Sequence, residues 1–203
     1  LGLVAWENGP VDQEVIRASL AELEAKGSDW WTGYSFAWLG SLAARARDGE
    51  AAEKALETFA SAFCLRNSFH VNGDQSGTGL SKFTYRPFTL EGNFAAAAGI
   101  QEMLIQSHSG TVRLLPAVPG DWNEIEFHNL RAEGAFLVSL QRAGGMNTRV
   151  EVIAERGGTL RLQNPFAGAY RISGAEGPPS VEGQDVLVFE GLEPGSKVIL
   201  ESR

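Results

Sequence analysis

The residue types best suited to chemistry crowd into one run, Phe83-Thr84-Tyr85-Arg86-Pro87-Phe88-Thr89-Leu90-Glu91-Gly92-Asn93-Phe94. Glu91 is a carboxylate flanked by apolar residues, just ahead of a segment that reads as a helix. Burial would raise its pKa, whereas nearby helix N–H groups would lower it. A carboxylate held there can act as a base or orient a water. The same spacing fits plain capping, with Asn93 as N-cap and Glu91 beside the helix dipole, so both readings stand. A second cluster is aromatic: Trp30, Trp31, Tyr34 and Trp38. Aromatic faces stack on the C–H face of a sugar, and they also fill cores. Trp38 lies four residues after Tyr34, which predicts core packing for it. Trp30 and Trp31 are adjacent before a helix and cannot both point the same way.

Other chemistries find no support. His70, His108 and His128 are far apart and never pair at helical spacing. Asn72-Gly73-Asp74-Gln75-Ser76-Gly77 mimics the start of an EF-hand loop, but its twelfth position is Phe83 where a bidentate Glu is required. The lone cysteine, Cys64, permits neither an internal disulfide nor a Cys-rich zinc site. No nucleotide-binding glycine motif or nucleophile elbow is present, so neither a metal nor a cofactor is expected. The net charge of −8 argues against nucleic-acid binding and against a polybasic membrane surface. No apolar run approaches the ~20 residues needed to span a bilayer.

The elements that must position these groups fall into two domains, an α+β arrangement. Alanine concentrates before Gly110 and proline after it. Residues 1–110 read as helical, and residues 111–203 as strand-rich. The apolar spacing predicts helices over 11–26, 33–47, 51–65 and 94–106. Pro10 suits a first turn and Gly27 a C′ position. A loop of about 28 residues, rich in Gly, Asn and Ser, separates the third and fourth helices; loops that long are usually functional. Beyond Thr111 the period becomes two. Strands are predicted over 111–115, 125–130, 136–142, 149–155, 159–163, 169–172, 186–189 and 197–201, as in an antiparallel sandwich.

Several segments, taken in order, carry a resemblance to one family. Thr32-Gly33-Tyr34-Ser35-Phe36-Ala37-Trp38 and Ala46-Arg47-Asp48-Gly49-Glu50 resemble the "TGWSxAW…RxGDGE" helix of glycoside hydrolase family 95, the α-1,2-L-fucosidase and α-L-galactosidase family. Glu91-Gly92-Asn93-Phe94, Gly99-Ile100 and Glu102 to His108 are similar to its "DGNFGGTAGIAEMLLQSH". Leu114 to Pro119 and Leu130 to Gly134 are similar to "LLPALP" and "LRARGG". The order and spacing agree over residues 32–140.

The resemblance implies the last helices of an (α/α)6 barrel followed by a C-terminal β-sandwich. It implies hydrolysis with inversion, in which a water attacks while a distant acid protonates the leaving oxygen. The family's Asp in "DGNFG" helps activate that water, and Glu91 stands at its place. The family's "THPPFQ" contributes a sugar-binding His. Here Tyr85 replaces that His and Arg86 a Pro, which implies a changed sugar. Tyr85, Arg86, Trp31 and Asn93 are thus candidate substrate-binding residues, and Glu91 the candidate catalytic one. The chain begins at Leu1 with no visible signal peptide. The family's chains are several times longer, which implies that the general acid and most of the barrel lie in the remainder of a longer polypeptide or in a partner subunit. The expected substrate is an oligosaccharide or glycan, and the isolated piece is expected to be inactive. The resemblance leans toward an extracellular or periplasmic location, and one cysteine is compatible with export. Two rivals remain: a non-catalytic carbohydrate-binding or structural module, and a lyase with Tyr85 as base.

Overall fold

The computed structural model describes residues 4–203. The chain is α+β: helices occupy its first half and antiparallel sheets its second. It divides into two compact units. One takes in the chain up to Leu104 together with Pro116–Pro119; the other takes in Ile105–Leu115 and Gly120–Arg203.

The helical unit holds α1 (Pro10–Ala25), α2 (Gly33–Arg45), α3 (Gly49–Phe63) and α4 (Glu91–Leu104). Pro10 opens α1, where its missing N–H costs nothing. No residue of α1 is buried. In α2, Phe36, Ala37, Gly40, Ala43 and Ala44 recur at three- and four-residue intervals and form the buried face. That face packs on α3 and α4. Asp48 caps α3 by accepting from the Ala51 N–H at 3.0 Å. The core joins Phe36 and Ala37 of α2 to Phe59, Ala62 and Phe63 of α3. The Phe36 and Phe63 rings lie 5.3 Å apart. Each such fully buried phenylalanine contributes about 2–3 kcal/mol of transfer free energy. Arg45 and Glu102 tie α2 to α4 through a two-nitrogen grip, with Nη2 to Oε1 at 2.6 Å.

Two sequence expectations differ from this unit. Trp38 is not core: it is 51% exposed and stacks on Tyr34 along the outer side of α2. The i,i+4 spacing does bring these two rings together, but on a solvent-facing stripe. The fourth helix also begins three residues earlier than its apolar run suggests, at Glu91, with the Phe94 N–H reaching the Leu90 carbonyl at 3.1 Å. It ends at Leu104, because Ile105–Gln106 leaves the helix to pair as a strand with Arg113–Leu114.

The second unit holds those two short strands, β1 (Ile105–Gln106) and β2 (Arg113–Leu114), and two larger sheets. The five-stranded sheet runs β3 (Ile125–Ala132), β4 (Phe136–Ala143), β5 (Met146–Ala154), β10 (Ser196–Ser202), β7 (Tyr170–Ser173). The three-stranded sheet runs β6 (Gly158–Gln163), β9 (Val186–Leu192), β8 (Ser180–Glu182). All pairings within these sheets are antiparallel. Alternation along β4, β5 and β10 sets the faces of the larger sheet. Phe136, Val138 and Leu140, with Val150, Val152, Ala154, Val198 and Leu200, form one buried face of the larger sheet. The opposite face carries an ionic row, Glu151–Arg149–Glu201–Arg171. The strand β8 was not predicted; its three residues are all exposed and give no pattern.

Candidate active site

The long segment between α3 and α4 is not a loose loop. Residues 70–75 run antiparallel to residues 83–89. The Asn72 N–H reaches the Pro87 carbonyl at 3.2 Å, Gly73 reaches Tyr85 at 3.0 Å, and Asp74 reaches Phe83 at 2.7 Å. The Thr89 N–H returns to the His70 carbonyl at 3.1 Å. The tip is organised by Asp74, which is buried. Its Oδ1 accepts from the Ser76 N–H at 2.8 Å and the Ser76 hydroxyl at 2.6 Å; its Oδ2 accepts from Leu80 at 2.9 Å. Burial pushes the Asp74 carboxyl up, but these hydrogen bonds outweigh it and hold the group below the usual carboxylate range. The stretch that imitates a calcium loop is therefore closed by its own N–H groups. Among the described residues no three His, Cys, Asp or Glu side chains gather as a metal site.

Glu91 is the first residue of α4 and is exposed. Among the described residues, no hydrogen bond or ion pair occupies its carboxylate. It sits at a helix N-terminus, where the macrodipole favours the anion. Asn93 is the third residue of the helix, not its cap. Its Oδ1 accepts from the His70 N–H at 2.9 Å, and its Nδ2 donates to the Ser68 carbonyl at 2.8 Å. Both ends of that amide latch the preceding turn.

Tyr85 and Arg86 lie on the returning limb of the hairpin and are exposed. Arg86 makes no ion pair with Glu91 or with any other described residue. Trp31 is half-buried: its ring meets Phe36 edge-on at 5.1 Å, packs on the core, and its carbonyl accepts from the Ser81 hydroxyl at 2.6 Å. The neighbouring Trp30 is the open one, 66% exposed. Its ring contacts Phe83 at 5.6 Å, and Phe83 contacts Tyr85 at 5.5 Å, both edge-on. The structure thus connects Tyr85 with Trp30 through Phe83, and packs the half-buried Trp31 against the core.

The residue that sequence reasoning missed is His70. It is fully buried, against Phe59. Gly33 and Gly92, each within the first two residues of its helix, press on the ring: a Cβ at either position would come within 2.4 Å of a ring nitrogen. Nδ1 lies 3.0 Å from the Thr89 carbonyl and 2.9 Å from the Thr89 hydroxyl. A carbonyl only accepts, so Nδ1 carries the proton. The Thr89 hydroxyl in turn donates to Asn72 Oδ1 at 3.2 Å. Nε2 is left as a bare lone pair with no partner among the described residues. Burial pushes the His70 pKa down, and outweighs the Thr89 carbonyl and the Glu91 charge, which both push it up. Nothing in the sequence marked it in advance: Gly33 and Gly92 stand at helix heads, where a glycine is an ordinary residue.

An exposed carboxylate without a partner among the described residues opens α4 directly after a braced hairpin whose returning limb carries Tyr85 and Arg86, a set that suits carbohydrate chemistry, and the sequence relationships are of that kind. Residues 7–104 match the glycosyl hydrolase family 95 catalytic domain, and residues 106–195 match the glycoside hydrolase family 95 C-terminal domain. The chain belongs to glycoside hydrolase family 95. Over 140 residues, 68% of its length, it is 32% identical to Alpha-L-fucosidase 2 of Arabidopsis thaliana, and it spans 16% of that relative's length. Among solved structures, a GH127 beta-L-arabinofuranosidase from Geobacillus stearothermophilus T6 is similar over 80% of this chain and 30% of its own, at 14% identity and a TM-score of 0.35, a likeness too loose to define the fold.

Proposed function

We propose that this chain is the C-terminal portion of an inverting glycoside hydrolase, related to α-L-fucosidases and acting on an oligosaccharide or glycan with an altered sugar. The helical part, to about residue 110, supplies the last helices of an (α/α)6 barrel, and residues 111–203 a closing β-sandwich. The observation that carries the reading is the Glu91 carboxylate: exposed, without a partner among the described residues, and at the first position of α4. In that role Glu91 orients and deprotonates the attacking water. The acid that protonates the leaving oxygen belongs to the rest of the polypeptide, at the ~6.5–9.5 Å separation that leaves room for the water. The isolated chain is then inactive. Tyr85 and Arg86 set the sugar through hydrogen bonds, and the rings of Trp30 and Tyr85 offer faces to its C–H edges.

The test is Glu91→Gln in the full-length polypeptide, assayed on fucosylated oligosaccharides and a panel of aryl glycosides. A loss of about 100-fold or more in kcat/KM supports the reading. Activity within a few-fold of wild type removes Glu91 from the chemistry. Glycan binding without turnover would make the chain a non-catalytic module. Ultraviolet-absorbing unsaturated products would make it a lyase with Tyr85 as base.

A further inference from the structure

The Glu91 carboxylate has no side-chain anchor among the described residues, so its position is set by the backbone on either side of it. That backbone converges on one residue. His70 accepts the Thr89 N–H through its carbonyl, at 3.1 Å. Its ring meets the Thr89 carbonyl and hydroxyl at 3.0 and 2.9 Å. Its own N–H reaches Asn93 Oδ1 at 2.9 Å. Its ring also fills the space that a side chain at residue 92 would need. The imidazole thus holds residues 89 and 92, the main chain of residue 70 adds holds on 89 and 93, and these positions bracket residue 91.

We propose that His70 is a positioning residue for Glu91: clamped between Gly33 and Gly92, it fixes the turn that delivers the carboxylate to the head of α4. The proposal rests on the reading of Glu91 as the water-activating group. His70 is fully buried, so it touches no substrate and transfers no proton. It acts through geometry, where a displacement of about 1 Å can cost 100-fold in rate.

The experiment compares His70→Ala and His70→Asn in the full-length polypeptide, each with Glu91 intact and with Glu91→Gln. The substrates are fucosylated oligosaccharides and aryl glycosides. Amide hydrogen exchange is followed in parallel at residues 89–95. We expect His70→Ala to lower kcat at least 30-fold while KM stays within threefold. Asparagine keeps an N–H donor near the place of Nδ1 and should recover a tenfold part of the loss. In the Glu91→Gln background, His70→Ala should cost less than threefold, because its effect passes through Glu91. Exchange at residues 89–95 should rise at least tenfold in His70→Ala, whatever the substrate. Equal losses in both backgrounds overturn the proposal, as does unchanged kcat or unchanged exchange in the alanine variant. Where the alanine variant fails to fold, the asparagine variant carries the same cycle. Failure of the underlying reading shows separately, as full activity in Glu91→Gln alone.

Discussion

The side-chain oxygen of Asn93 accepts the main-chain N–H of His70 at 2.9 Å. A residue of α4 thereby completes a backbone hydrogen bond that the turn before the hairpin cannot make for itself. The amide's other end holds the carbonyl of Ser68, whose φ of 66° is uncommon for a residue with a side chain. Replacing Asn93 by Ala should therefore destabilise the protein by about 1–2 kcal/mol. Asn93→Asp keeps the acceptor and loses the donor, so it should cost less. Urea denaturation of the three proteins, compared at constant m-value, checks the order.

His70 makes stability depend on pH near neutrality. Its folded pKa lies below the ordinary value of 6.5, so the unfolded chain takes up the proton more readily. The stabilisation is complete above about pH 6.5 and is lost as pH falls through the depressed folded value. Wild type should thus lose Tm between about pH 7.5 and 5.5 by more than His70→Asn does. Parallel melting curves for the two proteins would refute this.

Asp74 acts in a more acidic window. Its folded pKa is also depressed, so its stabilisation is present above the ordinary value of 3.8 and lost as pH falls through the lower folded value. Asp74→Ala should cost about 3 kcal/mol at neutral pH, because N–H groups of the hairpin tip lose a charged acceptor. Asp74→Asn should show a flatter stability profile below about pH 4 than wild type. Calorimetry across that range reads both effects.

The two adjacent tryptophans should separate cleanly. Trp31→Ala opens a gap beside Phe36 and should cost about 2–3 kcal/mol. Trp30→Ala removes an exposed ring that meets Phe83 edge-on and has the Lys82 ammonium 5.1 Å from its centroid. It should cost under about 1 kcal/mol. Under the proposed function it should instead raise KM for glycan several-fold. Thermal melts and steady-state kinetics on the full-length polypeptide distinguish the two positions.

Much of the chain could be read ahead of its coordinates where a single period governs. All four helices follow from apolar spacing, as do most strands of the larger sheets. The boundaries of α4 do not: Ile105 and Gln106 continue an apolar run that looks helical, and only pairing with Leu114 and Arg113 pulls them away. Trp38 was misjudged because spacing tells which rings share a side, not which side meets the core. Glu91 stood out by its neighbours in sequence. His70 did not, because its partners at residues 33, 59, 89, 92 and 93 are local to it only in three dimensions.

The fit of the His70 ring between Gly33 and Gly92 also orders the routes by which this sequence can drift. Neither glycine can gain a side chain first, since a Cβ at either would strike the ring at 2.4 Å. A smaller residue at position 70 would release residue 92, whose nearest neighbours are all atoms of that ring, but not residue 33, where a Cβ also meets Phe63 Cβ at 2.6 Å. Among relatives, then, a side chain at 92 should occur only with the histidine already lost, a one-way dependency that a comparison of descendants would expose, while residue 33 should stay glycine either way.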